Sequence, residues 1–260
     1  MRKLWETKEG IKYLKFIETE AWRIVEDQSK SYTRKMVDTL EEHEILERLI
    51  DENKPKLKLY GDELILKGLH YLLFTPFRYP PLKKGSRFGK WTERSLFYAS
   101  LELETAMGEK AYHRLSFLLA SAGNIGGKAV NYTAFKVNVS TQKAIDLSKP
   151  PFVEFKERIA SPLTYQDSQE LGSCMREDGV EAFISYSARS QNNGKNLNIF
   201  TPTVFSKNQA IEKTFQTFSC YFTKKSVEFY PAFVSTNGVG PTVFNIEMFY
   251  VDGKFPLMTG

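Results

Sequence analysis

The amino-acid sequence predicts an α+β protein, with a helical N-terminal extension over residues 1–60 and a strand-rich domain over residues 61–260. Three observations lead there. The stretch "GIKYLKFIETEAWRIVEDQSKS" spaces Leu14, Ile17, Ala21 and Ile24 near the helical period, with charges between them. From about Lys58 the texture changes to short apolar runs punctuated by Gly, Pro and Asn, the pattern of strands and turns. The composition, 42% hydrophobic and 14% aromatic over 260 residues, is ample for a buried core.

Taken in order, "SYTRKMVDTLEEHEILERLIDENKP" continues the helical texture and must stop before Pro55, because a proline restricts the residue before it. "LHYLLFTPFRYPPLKKGSRFG" reads as a strand running into an irregular loop rather than a helix. "RSLFYAS" is a short apolar strand, after which Ser100 can cap a helix starting near Leu103 with Met107, Ala111, Leu115 and Leu118 on its apolar face. Alternation across Ala134, Lys136, Val137 and Val139 predicts another strand. A helix ending near Gly179 then leads into a hairpin, "VEAFISY" and "LNIFTPTVF", with Ser187 and Arg189 beside its turn. "SVEFYPAFVST" and "TVFNIEMFYVDG" complete the strands.

Composition excludes several classes. Lys and Arg number 36 against 31 Asp and Glu, a net +5 without a clustered basic stripe, so no direct nucleic-acid contact is expected. No run reaches the roughly 18 apolar residues of a membrane span, and "MRKLWETKEG" lacks the apolar core of a signal peptide, so a cytoplasmic setting is expected. Cys174 and Cys220 make neither a disulfide framework nor a metal motif, and no metal is expected. "GNIGGKAV" resembles a phosphate-binding loop in outline, but Ala122 and Ala129 stand where that motif needs Gly and Ser or Thr.

Arg87, Tyr98 and Glu109 recur at intervals of 11 residues, a spacing without periodic meaning across a loop, a strand and a helix. On residue pattern alone Glu109 is a solvated glutamate opposite the helix's apolar face, Tyr98 a core residue, Arg87 a surface cation and Ser187 a turn serine. His113 shares the face of Glu109.

The ordered segments "FRYPP", "GSRFG", "LFYASLELETAMGE" and "YSARS", linked by "YQDSQELG", "REDGVEAFISYSAR" and "NLNIF", resemble the RES domain family of bacterial toxins from about Leu69 to Phe205. That resemblance implies a compact mixed-sheet fold similar to ADP-ribosyltransferases and cleavage of the nicotinamide–ribose bond of NAD+, which is substrate rather than resident cofactor. It assigns catalysis to Arg87, Glu109 and Ser187, and binding of NAD+ to Arg78, Tyr98, Arg87 and Ser187. It also implies a partner, an Xre-type helix-turn-helix antitoxin covering the cleft. A homodimer is left open.

The residue types suit that chemistry. Guanidinium groups match a pyrophosphate with paired donors and permanent charge. A fixed carboxylate stabilises the oxocarbenium-like character that develops as the ribose loses nicotinamide. Tyr98 can stack on nicotinamide, and Ser187 can donate to a phosphate or ribose oxygen. Water or phosphate would accept the ADP-ribose; transfer to a protein target and a non-catalytic NAD+-binding module are the rival readings.

Overall fold

The computed structural model describes residues 1–27, 37–53, 66–79, 81–122, 129–232 and 240–257. Eight strands form its framework: β1 (Lys15–Glu26), β2 (Phe97–Ser100), β3 (Val130–Asp146), β4 (Ala182–Tyr186), β5 (Lys195–Ile199), β6 (Gln216–Phe222), β7 (Ser226–Pro231) and β8 (Thr242–Asn245). Their order is β1-β2-β5-β4-β3-β6-β7-β8, and β1 also pairs with β3, so the first five close into a ring from which β6, β7 and β8 extend as a wing.

The 17-residue β3 joins the two parts. Along one edge its start, Val130–Ala134, pairs with β6 and its end, Ala144–Asp146, runs parallel to β4. Along the other edge β1 lies antiparallel, with Ala21 opposite Val137 and Ile24 opposite Ala134.

The segment expected to be helical at residues 15–26 is therefore a strand, and a corrected reading follows from its residues. Phe16, Ile17, Thr19, Trp22, Ile24 and Val25 are aromatic or β-branched and favour a pleated backbone. The helix-like spacing arises because both faces of β1 are covered. Ala21 packs with Phe97, Phe135 and Val137, whereas Ile24 packs on the opposite side with Met107 and Leu115.

The N-terminal helix α1 (Arg2–Thr7) is equally integral: Trp5 packs on Phe152 at 5.7 Å between ring centroids and donates Nε1–H to Asp178 Oδ2 at 2.6 Å. The expected division at residue 60 thus does not separate an extension from the sheet. The expected helix does form at α2 (Leu40–Asn53), where Glu42 accepts from the amides of Asp38 and Thr39 while Thr39 Oγ1 accepts from the Glu42 amide. Residues 28–36 and 54–65, parts of that segment, lie outside the described residues, as do "GNIGGK" at 123–128 and the end of "SVEFYPAFVST".

A second correction concerns "YLLFTPFR", which forms helix α3 (Tyr71–Arg78) despite Pro76. His70 Nδ1 accepts from the Leu72 amide at its start, and Leu72, Leu73 and Phe77 bury their side chains in the cluster around Phe97 and Val137. Burial on one side outweighs the backbone bond that proline forfeits.

Helix α4 (Leu103–Ala120) buries its predicted face, Met107, Ala111, Leu115 and Leu118, and also Thr105, Ala106, Gly108 and Tyr112. It is covered on two sides, by β1, β2 and β5 and by β7, β8 and residues 246–249. Glu102 occupies the N-cap position expected for Ser100, whose hydroxyl donates to Asn196 Oδ1. Helix α5 (Gln166–Glu177) and the β4–β5 hairpin form where expected, but the second strand ends at Ile199 and Pro202–Val204 is a 3-10 turn. Both cysteines are free and buried. No described helix is long and apolar enough to cross a membrane.

Candidate active site

The loop Gly85–Gly89 is a tight turn, closed by a bridge between Ser86 and Gly89 and by a left-handed Gly85 at φ +70°. A Cβ on Gly85 would lie 2.4 Å from the Gly89 carbonyl, so only glycine closes it. Two side chains from outside the turn lock it. Tyr98 donates its hydroxyl to Ser86 Oγ at 2.9 Å and accepts from the Phe88 amide at 3.3 Å. Gln169 on α5 donates to the carbonyls of Lys84 and Ser86, both at 3.0 Å.

That turn presents Arg87, 8% exposed, whose Nη1 donates to the Ser161 carbonyl at 2.7 Å and whose guanidinium lies 4.9 Å from the Tyr165 ring centre. Burial disfavours its charge and pulls its pKa down, with Tyr165 and Glu109 opposing. Burial pushes the Tyr98 phenol up to about 12, so it stands as a neutral hydroxyl.

Glu109 projects from α4 toward the hairpin. Its Oε1 accepts from Ser187 Oγ at 2.6 Å and from Asn196 Nδ2 at 2.7 Å. Burial raises its pKa, but the charge of Arg87 and the hydrogen bonds from Ser187 and Asn196 outweigh that, leaving it below the ordinary carboxylate range. The group is an ionised carboxylate near neutral pH. Ser187 also accepts from the amides of Arg189 and Ser190, at 3.0 and 3.2 Å, so its donor and both acceptor positions are occupied.

Arg87, Tyr98 and Glu109 line one cleft of about 850 Å³, together with Arg23, His113, Tyr165, Asn196 and Asn198. This falls within the roughly 300–1,000 Å³ of small-molecule sites. Among the described residues no group of three or more His, Cys, Asp or Glu could hold a metal ion.

Of the five predicted residues, three meet in the cleft and Ser187 stands behind Glu109. Arg78 does not join them: it ends α3 with its guanidinium 5.7 Å from the Phe74 ring centre and does not line the cleft. Sequence reading missed Asn196, Asn198 and Arg23. The two asparagines alternate with Leu197 and Ile199 in "KNLNI", and that period-2 signal puts paired amides on one face of a buried strand. Arg23 was hidden by the helical reading of β1.

No curated protein matches the chain. A solved structure, "Crystal structure of the M.tuberculosis MbcT-MbcA toxin-antitoxin complex", is similar at 11% identity and a TM-score of 0.44, covering 79% of this chain and 85% of that one. At that distance the likeness assigns nothing to the present protein. The model of the RES domain matches residues 64–217, more than half of the sequence and all of Arg87, Tyr98, Glu109 and Ser187. The chain belongs to the RES domain family.

Proposed function

We propose that this protein cleaves NAD+ at the nicotinamide–ribose bond, as the toxin of a toxin–antitoxin pair. The observation that carries the reading is the Glu109 carboxylate, held ionised by the Arg87 charge and by hydrogen bonds from Ser187 and Asn196, in a cleft that Arg87 and Arg23 also line.

Two donors, Ser187 Oγ and Asn196 Nδ2, fix the position of the carboxylate. It is available to the positive charge that grows on the ribose as the bond to nicotinamide lengthens. Nicotinamide leaves as a neutral molecule from a cationic ring, so no acid is needed to protonate it. Arg87 provides planar donors and permanent charge for the pyrophosphate. The Tyr98 ring walls the cleft, and its hydroxyl is committed to the Arg87 loop. Ser187 acts on Glu109 rather than on the ligand. This revises the role that the resemblance assigns to it, because its donor and both its acceptor positions are occupied.

The family resemblance supports the remaining expectations: cytoplasmic action on NAD+ and silencing by an Xre-type helix-turn-helix antitoxin that covers the cleft. Incubation of the purified protein with labelled NAD+, with and without phosphate, tests the reading. Release of nicotinamide with free ADP-ribose or its phosphorylated form supports it. Label on protein would make the chain an ADP-ribosyltransferase, and tight binding without turnover would make it a binding module.

A further inference from the structure

Arg23 lies on β1, outside the residues 64–217 that match the family model. It nevertheless lines the cleft. Its Nη1 donates to the Tyr98 carbonyl at 2.6 Å, and its guanidinium sits 4.3 Å from the centre of the Phe97 ring. Its Nε is buried without a hydrogen-bond partner, and among the described residues no carboxylate pairs with it. The acids nearest along the strand are engaged elsewhere: Glu26 with Arg114 at 3.2 Å and Glu20 with Lys136 at 2.8 Å.

Lys110 also lines the cleft. Its Nζ lies 5.2 Å from the Tyr132 ring centre and makes no ion pair among the described residues. Burial, Arg23 and Arg114 push its ammonium down to about 8, with Glu26 opposing. Two half-buried cations lining one cleft, neither with a carboxylate partner among the described residues and one with a buried donor left unfilled, are arranged as a site is when its counter-ion is a ligand.

We infer that Arg23 and Lys110 form a phosphate-binding subsite in the cleft, supplied by this chain's N-terminal strand and α4. Its ligand is either a phosphate group of the dinucleotide or inorganic phosphate acting as acceptor. The assignment of a ligand source rests on the NAD+ reading; the anion site itself rests on the two cations that share the cleft and on the unfilled Arg23 donor.

Calorimetric titration with inorganic pyrophosphate and with orthophosphate, on the full chain, tests the subsite without requiring turnover. Binding by the wild type that weakens roughly tenfold or more in both Arg23→Gln and Lys110→Gln, and is largely kept in Arg23→Lys, is the expected result. Arg23→Lys retains the charge and guards against a simple packing defect, and thermal unfolding identifies any variant that fails to fold. No binding by the wild type, or binding unchanged in both folded Gln variants, overturns the inference. In turnover, a raised KM for NAD+ in Arg23→Gln identifies the dinucleotide's phosphate as the ligand. Loss of phosphate stimulation identifies the acceptor. If anion binding follows the expected pattern while NAD+ is not consumed at all, the NAD+ reading fails and the subsite stands.

Discussion

Ser187 Oγ lies 2.6 Å from Glu109 Oε1 and joins the β4–β5 turn to α4 across 78 residues of sequence. The same oxygen anchors two backbone amides of its own turn. Substitution Ser187→Ala should therefore reduce both stability and activity. Leaving the amides of Arg189 and Ser190 and one lobe of the carboxylate unpaired should cost about 1–3 kcal/mol, read by denaturant unfolding. The rate of NAD+ consumption should fall by roughly ten- to a hundredfold, because an untethered Glu109 no longer holds its position.

The pH dependence has a defined sign. Glu109 titrates below its ordinary value of 4.5 in the folded protein, so its ionised form adds stability that is present above pH 4.5 and is lost as pH falls through the lower folded value. Activity should follow the ionised form, with an acidic limb below the ordinary carboxylate range. In Ser187→Ala and in Asn196→Ala, which each remove a donor, that limb should move to higher pH. A limb unmoved in both variants would show that another group controls it.

Gly172 on α5 allows the helix to touch the Arg87 loop, since a Cβ there would lie 2.2 Å from the Phe88 carbonyl. Gly172→Ala must push helix and loop apart. The expected cost is about 1–3 kcal/mol in unfolding experiments, with a larger KM for NAD+ because Arg87 rides on that loop.

The N-terminal strand should be indispensable. Removing residues 1–27 strips the partner from β3 between Tyr132 and Ala144 and removes Trp5 from its contact with Phe152. The truncated chain should show no cooperative thermal transition. A folded, active protein lacking these residues would contradict the closed ring.

These relationships were unevenly legible in the sequence. The β4–β5 hairpin and the apolar face of α4 followed from local period and turn chemistry, because each depends on contacts close along the chain. Glu109 could not be placed that way: pattern put it on a solvent face, where His113 and Phe117 are indeed exposed, and only the β4–β5 hairpin, through Ser187 and Asn196, folds back over Glu109 itself. The strand at residues 15–26 was misread because its two faces belong to different cores, with Ala21 in one and Ile24 in another, a three-residue step that mimics a helix. The family resemblance located Arg87, Tyr98, Glu109 and Ser187, but it carried no information about Arg23, which the matched segment does not reach.

The central claim is that an ionised Glu109 drives cleavage of NAD+. Nicotinamide release by the wild type and by Glu109→Gln, measured side by side with thermal unfolding of both, tests it most directly. A wild type that releases nicotinamide and a folded variant slower by a factor of roughly a hundred to a thousand is the predicted result. A folded Glu109→Gln protein that releases nicotinamide at the wild-type rate would contradict it.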